Sequence, residues 1–272
     1  MIPRHDISER TKMIERMLDR YMKRLSNMTE AIKDRPENLG NYLGSSRTHL
    51  GYAVGLNRPK EEVVKYLEMV KEFGRACFVT ALGLDSEMSI TLAGEKFSFG
   101  SRKSTEYIDV RSWELAFYCS VILRDKDSIE ILSSIPEQVH REANAKASDE
   151  CMYKKVTFLK GLYNSEAPIS DLLVDAYTDA FAAGSEYVVK HIQPELKIYR
   201  SIFSEGEDLT ENLTEAINLH KEYYSTKDNY FDGNGWLSLP ILAACVVAYG
   251  GKGLAVEVES DYIPSWLIRG EF

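Results

Sequence analysis

The stretch Trp236–Tyr249, reading WLSLPILAACVVAY, constrains this 272-residue chain more than any other. It is apolar on nearly every side, which suits a helix buried all round rather than one lying on a surface. At about 1.5 Å per residue it makes about four turns, while a bilayer crossing needs about 20 apolar residues. Gly250, Gly251 and Gly253 follow and should stop the helix, because glycine takes left-handed backbone at low cost. A polar turn, Asp232 to Gly235, precedes the run. After it, alternating Leu254, Val256 and Val258 predict a short extended piece, and Pro264 suits the first position of a last helical turn. A helix of this kind needs other helices wrapped around it.

The rest of the chain supplies them. Ile14, Met17, Leu18, Tyr21, Leu25, Met28 and Ile32 recur at spacings of three and four, predicting one amphipathic helix over residues 7–34 that Pro36 ends. A second helix is expected over 37–56. A third, opened by Pro59, carries Val63, Leu67, Val70, Cys77, Phe78 and Ala81 on one stripe. The period then breaks. Ser89–Leu92 and Phe97–Phe99, separated by a glycine turn, read as a β-hairpin near residues 88–100. Helices resume at 110–124, with Asp109 as N-cap, and from Asp127 to Ile135. Others follow at 137–164, 169–183, 185–204 (kinked or divided at Pro194) and 208–226. No fixed internal period and no Pro/Gly/Ser-rich linker interrupts them. The expected fold is all-α: one irregular multi-helix domain over residues 1–272, with one small hairpin.

Composition excludes some functions. The net charge is −9, which disfavours direct nucleic-acid binding, because that rests on Lys and Arg neutralising phosphates. The balance is uneven: residues 1–36 carry +3 and the remainder −12. The basic start reads as a solvated helix face. No apolar segment of signal-peptide type follows Met1, and no membrane span is expected, so the expected compartment is the cytoplasm. Cys77, Cys119, Cys151 and Cys245 lie far apart, mostly in apolar runs, as buried reduced thiols would.

Few constellations offer chemistry. Asp228–Gly235 resembles a calcium loop, but neither register places a carboxylate at position twelve. Gly250–Gly253 lacks the spacing and context of a phosphate loop. None of His5, His49, His140, His191 and His220 has a partner at i+4, and there is no Gly-x-Ser-x-Gly elbow. No catalytic residue, metal ligand or cofactor is expected. What remains is acidic surface. Glu205, Glu207, Asp208, Glu211 and Glu215 crowd one loop and the helix after it; Asp228, Asp232, Glu257, Glu259 and Asp261 follow near the C-terminus. Glu257 and Glu259, two apart on an extended segment, should point to one side.

Three segments carry a resemblance: LSLPILAACVVAYGGKGL followed by VEVESDYIP and WLI; Trp113–Phe117 with Ile122–Asp125; and Ala216–Lys221 with Tyr223 and Tyr224. Over about residues 70–272 the chain resembles the immunity protein 49 family of bacterial polymorphic-toxin systems. A second immunity family, paired with polymorphic nucleases, shares the aromatic-Pro ending and is a rival. The helices of residues 1–58 carry no resemblance. The resemblance implies a non-enzymatic protein that binds and neutralises a cognate toxin. With the acidic balance, it leads to the expectation of a basic partner, a nuclease, occluded non-covalently through the ten carboxylates named above. A helical adaptor for another protein and an uncharacterised enzyme are the alternatives.

Overall fold

A computed structural model describes residues 1–6, 10–83, 87–92, 94–100, 105–143, 148–204 and 206–272, apart from the side chain of Ser26. Its contacts cluster into two compact units: Asp6–Lys146 with Phe272, and Met1–His5 with Ala147–Glu271. The architecture is all-α with one two-stranded hairpin.

In the N-terminal unit, α1 (Thr11–Lys23) and α2 (Leu25–Asp34) replace the single helix expected over 7–34, of which residues 7–9 lie outside the described residues. The break at Arg24 keeps Ile14, Leu18 and Tyr21 of α1 buried together with Met28 and Ile32 of α2. The packing, rather than a Pro or Gly, sets it. A 3₁₀ turn at Pro36–Asn38 leads into α3 (Leu39–Gly55), and Pro59 precedes α4 (Lys60–Leu82). α4 packs against α3 and against α5 (Val110–Leu123). Gly74 permits the second contact: a Cβ there would stand 2.5 Å from that of Ala116. Asp109 caps α5 as expected, accepting from the backbone N–H of Arg111 and Ser112.

The next cap is Asp125, not Asp127. Asp125 accepts from Ser128 N–H and opens α6 (Lys126–Ser133), while its other carboxylate oxygen takes the Lys71 ammonium of α4. A partner distant in sequence thus selects between two aspartates either of which could cap. The expected helix over 137–164 is two, α7 (Glu137–Arg141) and α8 (Glu150–Gly161), with 144–147 outside the described residues.

β1 (Glu87–Leu92) and β2 (Glu95–Gly100) pair antiparallel, Glu87 opposite Gly100 and Leu92 opposite Glu95. Ala93, in the turn, lies outside the described residues; Gly94 takes φ +88°. Met88, Ile90 and Leu92 bury one face of β1. Glu72 of α4 accepts from Thr91 N–H at 3.3 Å, and Arg75 donates to Ser89 C=O at 3.4 Å, fastening the strand to the helix. A hairpin is marginal alone, and this attachment supports it.

The C-terminal unit holds α8, α9 (Ile169–Ala182), α10 (Gln193–Phe203), α11 (Leu209–Tyr224), α12 (Leu239–Val246) and α13 (Ser265–Arg269). Pro194 sits in the first turn of α10, and a π turn at Val188–Ile192 precedes it. Proline there offers no N–H and crowds the carbonyl four residues back, and the expected 185–204 helix, rather than dividing, runs over 186–203 with a π turn just before Pro194. The apolar run Trp236–Tyr249 is not one helix. A 3₁₀ turn covers Gly233–Trp236, Leu237 is extended, Pro240 opens α12, and a π turn runs over Val247–Gly251. Its burial is as expected: Trp236, Leu242 and Cys245 are fully enclosed. By length and composition Gly233–Gly251 is apolar enough to cross a membrane, yet 72 % of it is buried inside the protein. All four cysteines are free and buried.

A buried ion pair and a backbone attachment of the N-terminal residues help to hold this unit. Lys155 of α8 and Glu195 of α10 form an ion pair at 2.7 Å, each side chain 1 % exposed. The five N-terminal residues lie along 259–262. Ile2 N–H donates to Glu259 C=O at 2.9 Å, and Asp261 N–H donates to Ile2 C=O at 3.3 Å.

Candidate functional site

Most of the described carboxylates of the expected acidic site already hold structural partners. Asp208 is the N-cap of α11, accepting from Thr210 N–H at 2.8 Å and Glu211 N–H at 3.1 Å. Asp232 caps the 3₁₀ turn through Asn234 N–H at 2.9 Å. Both satisfy backbone donors that a helix start leaves orphaned. α10 neutralises two more. Arg200 donates to Glu207 at 2.6 Å, and Lys197 donates to both oxygens of Glu215 at 2.8 Å. Asn212 adds a bond to Glu207 at 3.3 Å. Asp261 accepts from Arg4 N–H at 3.3 Å, while the Arg4 guanidinium donates to the Asp261 carbonyl.

Four carboxylates remain: Glu211, Asp228, Glu257 and Glu259 are exposed and have no side-chain partner among the described residues. Glu205 lies outside the described residues. Glu257 and Glu259 sit on a segment whose burial alternates: Leu254, Val256 and Val258 are half-buried and the residues between them exposed. Both therefore share the solvent side, as their spacing of two requires. The hydrogen bonds of Ile2 and Arg4 anchor the end of this segment.

The anchor extends inward to His5. Trp236 Nε1–H donates to His5 Nε2 at 2.7 Å. Since indole can only donate, His5 Nε2 is unprotonated and the neutral ring carries its proton on Nδ1, which faces Tyr262 Oη at 3.0 Å. Burial, reinforced by the cations of Arg4 and Lys221, lowers the His5 pKa against a backbone hydrogen bond that raises it. The segment presenting Glu257 and Glu259 is thus tied to the buried Trp236. Sequence reading placed His5 among scattered histidines, and no local signal linked it to residues more than 200 positions away.

Among the described residues, no three His, Cys, Asp or Glu side chains are grouped so as to hold a metal ion. A family model for Immunity protein 49 matches residues 55–267. The chain belongs to the Immunity protein 49 family. No curated protein and no solved structure matches it. The match decides between the two immunity families considered from sequence and extends upstream of residue 70 to the end of α3. Membership makes this an immunity protein that acts against a cognate toxin, a binding role. The match begins after α1, α2 and nearly all of α3, so those helices lie outside the matched residues.

Proposed function

We propose that this Immunity protein 49 member neutralises its toxin in the cytoplasm by non-covalent occlusion, and that the occluded surface is basic, as a nuclease cleft is. The observation that carries this reading is the set of four carboxylates, Glu211, Asp228, Glu257 and Glu259, that no helix cap or ion pair among the described residues uses. A nuclease binds a polyanion, so its cleft presents Lys and Arg to phosphate. Carboxylates held at such a cleft compete for the same groups, and opposite potentials speed encounter. No hydrolysis and no cofactor enters this mechanism.

Co-expression with the toxin domain encoded in the neighbouring reading frame tests it. Growth should be restored and the two proteins should co-purify. Rescue without a complex, or a partner with an acidic catalytic surface, would refute the occlusion mechanism.

A further inference from the structure

The N-terminal unit has a concave site of a different character. A cavity of about 570 Å³ opens between α1, α2 and the first half of α3. That is within the roughly 300–1,000 Å³ typical of ligand pockets. Met17, Met28 and Ala31 form its aliphatic wall, and Tyr21, Tyr42 and His49 its aromatic one. The aromatic wall is fixed. The Tyr21 and His49 rings stack at 3.9 Å with 17° between planes, Tyr21 Oη bonds Ser46 Oγ at 2.7 Å, and His49 Nδ1 lies 2.7 Å from the Ser45 carbonyl. Both residues are held from behind, so the wall exists before anything docks.

The mouth carries Arg20, Arg24 and Asn27. Arg20 and Arg24 stand one turn apart, so two like charges are neighbours, an arrangement mildly destabilising by itself. Among the described residues neither guanidinium, nor the Asn27 amide, has a side-chain hydrogen bond or ion-pair partner. The C-terminal end of α1 favours cations there. That favours the sign of Arg20 but does not account for an apolar, aromatic wall beneath a pair of unpaired guanidiniums.

We infer that this groove is a docking site for a segment of the cognate toxin that carries an aromatic or aliphatic side chain flanked by carboxylates. The inference rests on the immunity reading of the chain. The apolar walls take the side chain as an anchor, and the guanidiniums pair with the flanking carboxylates bidentately. A protein segment suits the site better than a nucleic acid, since two guanidiniums over a mainly apolar and aromatic wall offer one anchor position and not the run of cations that a phosphate backbone needs. Every lining residue precedes residue 55, where the family match begins. The groove therefore lies outside the matched residues, and it would add contacts with the toxin to those made by the matched part.

The test uses the full chain and the toxin domain from the neighbouring reading frame. The double variant Arg20→Glu/Arg24→Glu alters only exposed side chains. It should weaken the complex by about 30-fold or more, the level of a hot spot. Lys12→Glu/Arg16→Glu reverses the same charge on the same helix outside the groove, and should change affinity by less than about threefold. A photo-crosslinking residue at Ala31 should attach to a toxin peptide with an apolar residue beside Asp or Glu. The groove assignment is overturned if the Arg20/Arg24 variant binds as wild type, if both double variants weaken equally, or if the crosslink lands on a Lys/Arg-rich peptide or on nucleic acid. Loss of binding on reversing Glu211, Asp228, Glu257 and Glu259, with none from the Arg20/Arg24 variant, would leave the proposed function standing and the groove refuted. A chain that neither binds nor protects against the toxin would remove both.

Discussion

The acidic surface of the C-terminal unit and the basic groove of the N-terminal unit differ in how their charge is used. In the first, Glu207 and Glu215 answer α10 cations, Asp208 and Asp232 cap helical turns, and Asp261 holds Arg4. In the second, Arg20 and Arg24 stand over a cavity whose described lining holds no carboxylate. A count of charges ranks the acidic surface higher; a count of unused charges, four carboxylates against two guanidiniums, narrows the difference. Charge density along a sequence therefore overstates a binding surface wherever helices begin.

The largest expected effect concerns charge used most completely. Lys155→Met strands Glu195 in the core and should cost about 3–5 kcal/mol in urea unfolding. Lys155→Met/Glu195→Leu should recover most of that loss. If the double variant is no more stable than the single, the pair is not a closed unit and its contrast with the free arginines weakens.

Next comes protonation. Burial, reinforced by the cations of Lys155 and Lys190, pushes the His191 pKa from 6.5 down to about 4, and its buried Nε2 has no hydrogen-bond partner among the described residues. Between those values the unfolded chain binds a proton that the native chain refuses. Stability should therefore fall as pH drops from about 6.5 toward 4, by about 3 kcal/mol for this group. His5 and His49, both lowered chiefly by burial, add in the same direction. Thermal unfolding from pH 7 to 4 should show a shallower slope for His191→Gln; an identical slope would remove His191 as the source.

Smaller effects separate used from unused carboxylates. Asp208→Ala should destabilise by about 1 kcal/mol through lost capping, while Glu211→Ala, three residues on, should stay within about 0.5 kcal/mol. Reversing Glu211, Asp228, Glu257 and Glu259 to Lys should leave the unfolding midpoint nearly unchanged. It should also lower the association rate with the toxin and flatten its salt dependence. Wild-type kinetics across salt would exclude the acidic surface from the interface.

Much of the fold was legible because its causes are local. Helical period placed most elements, Asp109 announced its cap, and alternation gave the hairpin. What sequence concealed depended on distant partners. Asp125 outcompetes Asp127 because Lys71 meets it, and Glu207 and Glu215 lose their freedom to Arg200 and Lys197. Pro240 did stand inside the apolar run, and its weight against one continuous helix was readable. The groove left only a weak trace, a basic face on a Met-bearing helix, because its depth arises from the turn between α1 and α2 at Arg24, where no breaker residue stands.

The packing of Met1–His5 along residues 259–262 has a consequence for how the molecule is made. As the chain leaves the ribosome, Asp6–Lys146 holds all its strand and helix partners early and can fold as a unit. The C-terminal unit must wait. Its first strand-like residues are synthesised first, yet Trp236 and Tyr262, which His5 binds, come near the end, 231 and 257 positions later. Contacts that far apart form late, since the loop must close before it is rewarded. Pulsed hydrogen exchange during refolding should protect α4 and α5 before α12; simultaneous protection would contradict this order. Until that closure, the most apolar segment of the chain lacks its N-terminal clasp, so a nascent immunity protein is exposed to aggregation where the finished one is best protected.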